Sequence, residues 1–241
     1  MQSGGDSDGP RWAIADLDAL RAPPGRHPRR WLLDGRRLLI LASEIPRETY
    51  RLPVRDRTRA FRDQIRHVEQ LLASHAAVLR SQGACAVALP VFFPVRLDNG
   101  RLQGGVSLRD LASDAGLGTI GRNGLLQVPG AGCRIAIGAL VTNALLPIRR
   151  PAGGSGCSGC GLCITACPAG AIGPTGVDPF RCLNVAQIAP GPTGRILRRV
   201  ALDGMAARIV EPAVNVIARY APMPCSACVT ACPRSGMEQK G

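Results

Sequence analysis

Cys157-Ser158-Gly159-Cys160-Gly161-Leu162-Cys163-Ile164-Thr165-Ala166-Cys167-Pro168 sets four cysteines at spacings of two, two and three residues and closes on a proline. Two-residue spacers let one loop wrap three corners of a cube. The small residues Gly156, Ser158, Gly159 and Gly161 leave backbone amides free to hydrogen-bond sulfur, and Pro168 turns the chain away after the last thiol. Such a run holds three corners of one [4Fe-4S] cluster, while its fourth cysteine crosses to a second.

A single run leaves a site incomplete, so a second set is required. Cys225, Cys228, Cys232 and Pro233 supply it in the weakly duplicated CSACVTACP, and Cys182 completes the count at eight. The spacing is that of bacterial ferredoxins. It assigns Cys157, Cys160, Cys163 and Cys232 to one cluster and Cys167, Cys182, Cys225 and Cys228 to the other. Two all-cysteine zinc sites would also consume eight thiolates, but the triple C-x2-C-x2-C followed by x3-C-P disfavours them. Crossed ligation ties the ends of the module together, so loss of the clusters is expected to unfold it. Cys85 and Cys133 stand alone in apolar runs and read as small buried hydrophobes.

The rest of the composition is that of a folded chain of 241 residues, 46% hydrophobic but only 3% aromatic, with 29 glycines and 20 prolines. Ten cysteines without a convincing export signal argue for ligation rather than disulfides. Arg29-Arg30-Trp31-Leu32-Leu33 faintly resembles a twin-arginine signal, but Asp34, Arg36 and Arg37 break the apolar stretch at once. No run approaches the length of a membrane span, and the reading is a soluble cytoplasmic protein. The formal charge of +13 is nearly all arginine. Two clusters carrying about −2 each leave it near +9. Such a surface suits RNA, an acidic redox partner or a phosphate-bearing cofactor, and is equally the mark of an arginine-biased genome.

Residues 1–34 read as an extended arm around one amphipathic segment at 12–20. Residues 37–42 (RLLILA) predict a buried strand, 55–80 one long helix and 84–91 a second strand. Ser107 is placed to N-cap a helix that stops at Gly116. Residues 125–128 and 134–141 flank Pro129-Gly130-Ala131-Gly132 as a hairpin. A glycine-rich stretch at 151–156 marks a boundary. The expectation is an α+β domain at 35–150 and a cysteine module at 151–241, interrupted at 194–221 by two helices broken near Pro212 and packed on the first domain.

Ala115-Gly116-Leu117-Gly118-Thr119-Ile120-Gly121-Arg122-Asn123-Gly124-Leu125-Leu126, the stretch Val141-Thr142-Asn143-Ala144-Leu145-Leu146-Pro147 and the split cysteine module together resemble one family. It is that of the cobalamin-dependent reductases comprising epoxyqueuosine reductase and the corrinoid reductive dehalogenases. The resemblance implies a nitroreductase-like α+β domain holding a corrinoid, whose cobalt the nearer cluster reduces. It places Ser107, Gly116, Gly118, Gly121, Arg122, Asn123 and Gly124 beside that corrinoid, with the glycines admitting backbone close to a flat ligand. Where these reductases carry an acidic residue as proposed proton donor, this chain holds Leu102, and Asp110 and Asp114 read as helix surface. The implied partners are an electron donor such as ferredoxin or flavodoxin and, by analogy with epoxyqueuosine reductase, tRNA. A non-enzymatic electron carrier is the alternative, and no catalytic acid is named. His27, His67 and His75 form no metal constellation, while Tyr50 and Tyr220 read as packing residues.

Overall fold

The computed structural model describes residues 10–22, 26–91, 95–98, 101–151, 156–174, 176–187, 196, 199–200 and 204–237. The glycine-rich boundary at 152–155 and much of the first half of the expected insertion lie outside them.

The run RLLILA is continuous rather than alternating because its strand is buried on both faces. That strand, β2 (Arg37–Glu44), is central to an antiparallel sheet with β1 (Arg11–Asp16), β3 (Ala86–Ala88) and β8 (Ile135–Thr142), in the order β1-β2-β8-β3. Leu38, Ile40 and Ala42 point to one face with Ala139 and Val141, and meet Leu108, Leu111, Ala112 and Ala115 around α2 (Leu108–Asp114). Leu39 and Leu41 point to the other face and meet Val68, Leu72, Ala76 and Leu79 of α1 (Val54–Ser81). A Cβ at Gly138 would strike Leu72 and Val68, so glycine there lets α1 lie close to the sheet.

Three expectations change. The arm contributes β1, an edge strand whose whole length pairs with β2 and whose Ala13 and Ala15 enter the core. Its alanines carry too little apolar volume to announce a strand. The strand expected at 84–91 is confined to β3, and Cys85 just before it is exposed rather than buried. Its backbone is bound on both sides, N–H to Asn143 Oδ1 and C=O to Thr142 Oγ1, and this turns the thiol outward. The hairpin reduces to one bridge, Val128 to Gly132. The flanking strands part, because β7 (Leu126–Gln127) pairs with β6 (Thr119–Ile120) and β8 joins the main sheet.

Between β3 and α2 lies a hairpin of β4 (Val95–Asp98) and β5 (Arg101–Gly104). The cysteine module is built of short pieces: α3 (Leu162–Thr165), the hairpin β9 (Ile172–Gly173) and β10 (Gly176–Val177), α4 (Leu183–Ala186), α5 (Gly204–Tyr220) and α6 (Ala227–Thr230). The duplicated sequence reappears as paired one-turn helices, α3 against α6. Within the insertion, α5 runs unbroken through Pro212, where a break was expected. One proline forfeits one backbone donor, and the buried face of Ala207, Val214 and Ala218 carries the helix across it. The insertion packs on the first domain, α5 lying against β4. No helix among the described residues is long and apolar enough to cross a membrane.

Two buried arginines fasten the parts together. Arg134 has no exposed surface and donates to Ser235 O, Ile45 O and Glu44 Oε1 at 2.6 to 2.7 Å. Arg57 donates to Pro224 O at 2.5 Å, while Thr58 Oγ1 accepts from Met223 N and Arg62 donates to Ala221 O. A small core of Ile45, Tyr50, Cys133, Val229 and Cys232 fills the seam.

Candidate metal centre

Three cysteines of one loop, Cys157, Cys160 and Cys163, and the distant Cys232 line one cleft. Its other wall comes from the first domain, with Arg122, Asn123 and Gln127 facing the thiols and Arg234 at the side. Gly161, with φ of 79°, ends the loop in a left-handed turn that starts α3 and brings Cys163 inward. Cys157 and Cys160 are exposed, whereas Cys163 and Cys232 are buried, so the cleft opens along one edge only. The Arg122 and Gly159 N–H groups direct their dipoles at Cys157 and hold its thiol below the ordinary range. Burial, then the neighbouring Cys157, pushes Cys163 up.

The thiols of the second set, Cys167, Cys182, Cys225 and Cys228, are all partly exposed. Cys228 is pushed up to about 12 by burial and then by the approach of Cys133, Cys182 and Cys225, with Cys163 of the first set acting in the same direction. Asn184 fixes that approach, donating to Cys225 O at 2.8 Å and accepting from Cys225 N at 2.9 Å. Cys167 leaves the end of α3, and its Sγ accepts the Ala171 N–H at 3.2 Å. Burial raises this thiol, but four backbone N–H groups at 169–172 outweigh it and lower it overall. Among the described residues no three His, Cys, Asp or Glu side chains close to single-ion geometry. A cube, which takes each thiolate on a different iron, asks for thiols around a body rather than around a point. The chemistry of the donor set, soft thiols met by inward N–H dipoles, fits such a body.

The glycine segment lies against the first cleft. Ser107 occupies the N-cap position of α2, but its hydroxyl bonds to Asp110 Oδ2 instead of capping a backbone N–H. Gly116, with φ of 81°, ends the helix as expected. A Cβ at Gly118 would collide with the Gln127 carbonyl and one at Gly121 with the Gln127 amide. Gly124 lies beside Val177 and Arg109. The room these glycines leave is thus filled by the protein's own atoms. Asn123 is 5% exposed and its Nδ2 reaches Cys133 Sγ at 3.6 Å and Cys228 O at 3.4 Å, spanning the two sites.

Sequence reasoning missed Gln127, whose Nε2 lies 3.8 Å from Cys232 Sγ, because a glutamine three residues past the last glycine of a motif carries no signal of its own. Cys133 is buried as expected, bonded to Ser235 Oγ at 3.1 Å, with burial raising its thiol. Asp114 accepts from Arg21 N at 3.0 Å, His75 stacks on Trp12 and His27 caps a turn. Tyr50 packs against Phe61, whereas Tyr220 is exposed.

No family model matches the chain. In sequence it is 47% identical over 73 residues to the epoxyqueuosine reductase of Synechococcus sp. (strain RCC307), a stretch covering 30% of this chain and 23% of that protein. It is 40% identical over 81 residues to the epoxyqueuosine reductase of Escherichia coli (strain K12), covering 33% and 21%. The aligned stretches therefore span about a fifth of these relatives' length. In structure it is similar to epoxyqueuosine reductase from Bacillus subtilis (TM-score 0.61, 19% identity, 93% of this chain and 61% of that one). It is also similar to an epoxyqueuosine reductase bound to an epoxyqueuosine-modified tRNA stem loop (0.61, 18%, 94% and 61%). A catabolic reductive dehalogenase is similar as well (0.56, 17%, 87% and 33%). At these identities the structural likeness is one of fold.

Proposed function

Because the chain belongs to the superfamily that comprises the epoxyqueuosine reductases and the corrinoid reductive dehalogenases, we propose that it is an iron–sulfur reductase passing single electrons through two [4Fe-4S] clusters toward its first domain. The observation that carries this is the shared cleft, in which Cys157, Cys160, Cys163 and Cys232 meet Arg122, Asn123 and Gln127. Each cluster would supply reversible uptake of one electron with no bond made or broken. The protein's own groups bind and tune. Thiolates hold iron, and N–H groups of Arg122, Gly159 and Ala171 offset negative charge on sulfur. Asn123 and Gln127 close the buried side against water. The open edge at Cys157 and Cys160, flanked by Arg122 and Arg234, suits an acidic donor of the ferredoxin or flavodoxin class.

A corrinoid held in a nitroreductase-like domain is the acceptor the superfamily points to. Ser107, Gly116, Gly118, Gly121, Arg122, Asn123 and Gly124 are its contacts by resemblance. Here Gly118 and Gly121 give their space to Gln127, so these two make no free cradle for a flat ligand. The test is anaerobic reconstitution with iron and sulfide, followed by titration with cob(II)alamin under EPR. About eight irons per chain with a base-off cobalt signal makes the protein a corrinoid reductase. About eight irons without cobalamin binding makes it an electron carrier, and clearly fewer irons defeats the two-cluster reading.

A tRNA substrate is the second reading. It is favoured by arginines gathered near the cleft and the glycine segment: Arg122 and Arg234 line the cleft, Arg150 lies beside Gly116, and Arg109 donates to Gly124 O. A tRNA stem loop bound with an affinity that falls steeply with salt supports it, and no binding at low salt removes it.

A further inference from the structure

Gln127 is 6% exposed and stands in β7 opposite Thr119. Its Nε2 faces Cys232 Sγ, and its Oε1 is buried without a hydrogen-bond partner. A leucine or methionine would fill this space without the orphaned oxygen, so packing alone does not account for a carboxamide here. The amide is also held in place from behind. A side chain at Gly121 would drive it off the sulfur, and Arg122 next in sequence turns its own N–H onto Cys157. One glycine and two donors thus serve the sulfurs of one cleft.

We propose that Gln127 raises the reduction potential of the cluster held by Cys157, Cys160, Cys163 and Cys232. This rests on the two-cluster reading above. One electron from a reduced donor of the ferredoxin or flavodoxin class adds negative charge to the cluster and its thiolates, and no proton or leaving group moves. The N–H···S bond from Gln127 favours that reduced form over the oxidised one, which raises the potential. Gln127 is a positioning and tuning residue: it touches a ligand of the cluster and not a substrate.

The experiment is an EPR-monitored redox titration of the reconstituted full chain, with iron counted in every sample. The unmutated protein should hold about eight irons and reduce in two one-electron waves; fewer irons or a single cluster fails the two-cluster reading itself, before any variant is made. In Gln127→Leu one of the two waves should move down by about tenfold in its reduction equilibrium, about 59 mV for one electron, with the other wave and the iron content unchanged. Gln127→Glu, which replaces the donor by a negative charge, should move it further. Gly121→Ala keeps Gln127 but crowds its amide, and should move the same wave in the same direction. Unmoved waves in both Gln127 variants, equal movement of both waves, or iron loss in all three variants would overturn the proposal.

Discussion

The two sets of four cysteines have the same kind of ligand and unlike surroundings. The first is a seam: its thiols come from the module, and its facing wall of Arg122, Asn123 and Gln127 comes from the first domain. The second is furnished by the module, with Asn184 and the N–H of Ala171 as its donors. The first domain holds the strap that leads into it, through Arg57, Thr58 and Arg62, and touches the site itself through Asn123 on Cys228 O. If both sets hold the cluster proposed, ligand identity is the same at both, and any difference in potential would come from hydrogen bonds, exposure and nearby charge. The spacing of the cysteines suggests a ligand, while the neighbours set how each site differs.

The comparison can be broken most severely by removing iron. Chelation should abolish the cooperative melting of the module while α1 and the four-stranded sheet keep their helical and strand signals, as seen by calorimetry with circular dichroism. Next in size is Arg134→Ala, which orphans Ser235 O and Ile45 O in a site without solvent. It should cost on the order of 3 kcal/mol in denaturant unfolding and loosen the first site. Arg57→Ala should cost about 2 kcal/mol and speed iron release to a chelator from the second site alone, since its carbonyl partners lie just before Cys225. Smallest is Met205→Ser on the exposed face of α5, expected to change stability by less than about 0.5 kcal/mol and to move neither site. If Arg134→Ala and Arg57→Ala released iron from both sites equally, the two would be one cooperative unit and the contrast drawn above would fall.

Much of this was legible in the sequence where apolar volume recurs with a clear period. Strand β2, helix α1 and the stop of α2 at Gly116 all follow from pattern. Strand β1 was not legible, because alanines at its buried positions resemble a polar arm. Nor was the continuity of α5, because Pro212 breaks a rule that packing of Val214 and Ala218 overrides. Spacing proposed eight thiols, of which four line one cleft, yet the seam depends on side chains that only the three-dimensional fold brings to them. Gln127 and Cys232 stand 105 residues apart. The glycine segment shows the limit most plainly: its glycines spoke of close approach, but the approaching group was Gln127 of the same chain.

Arg134 reaches Ser235 across 101 residues of chain, beside the meeting of Gln127 and Cys232 across 105. Contacts of such separation form late, after the entropy of closing a long loop has been met. Iron offered to the nascent polypeptide would therefore find the triple Cys157, Cys160 and Cys163 without its fourth partner. On the two-cluster proposal, maturation of the first cluster would wait until the segment around Cys232 has been synthesised and docked, and the order of assembly would follow from the distance in sequence between one arginine and one carbonyl.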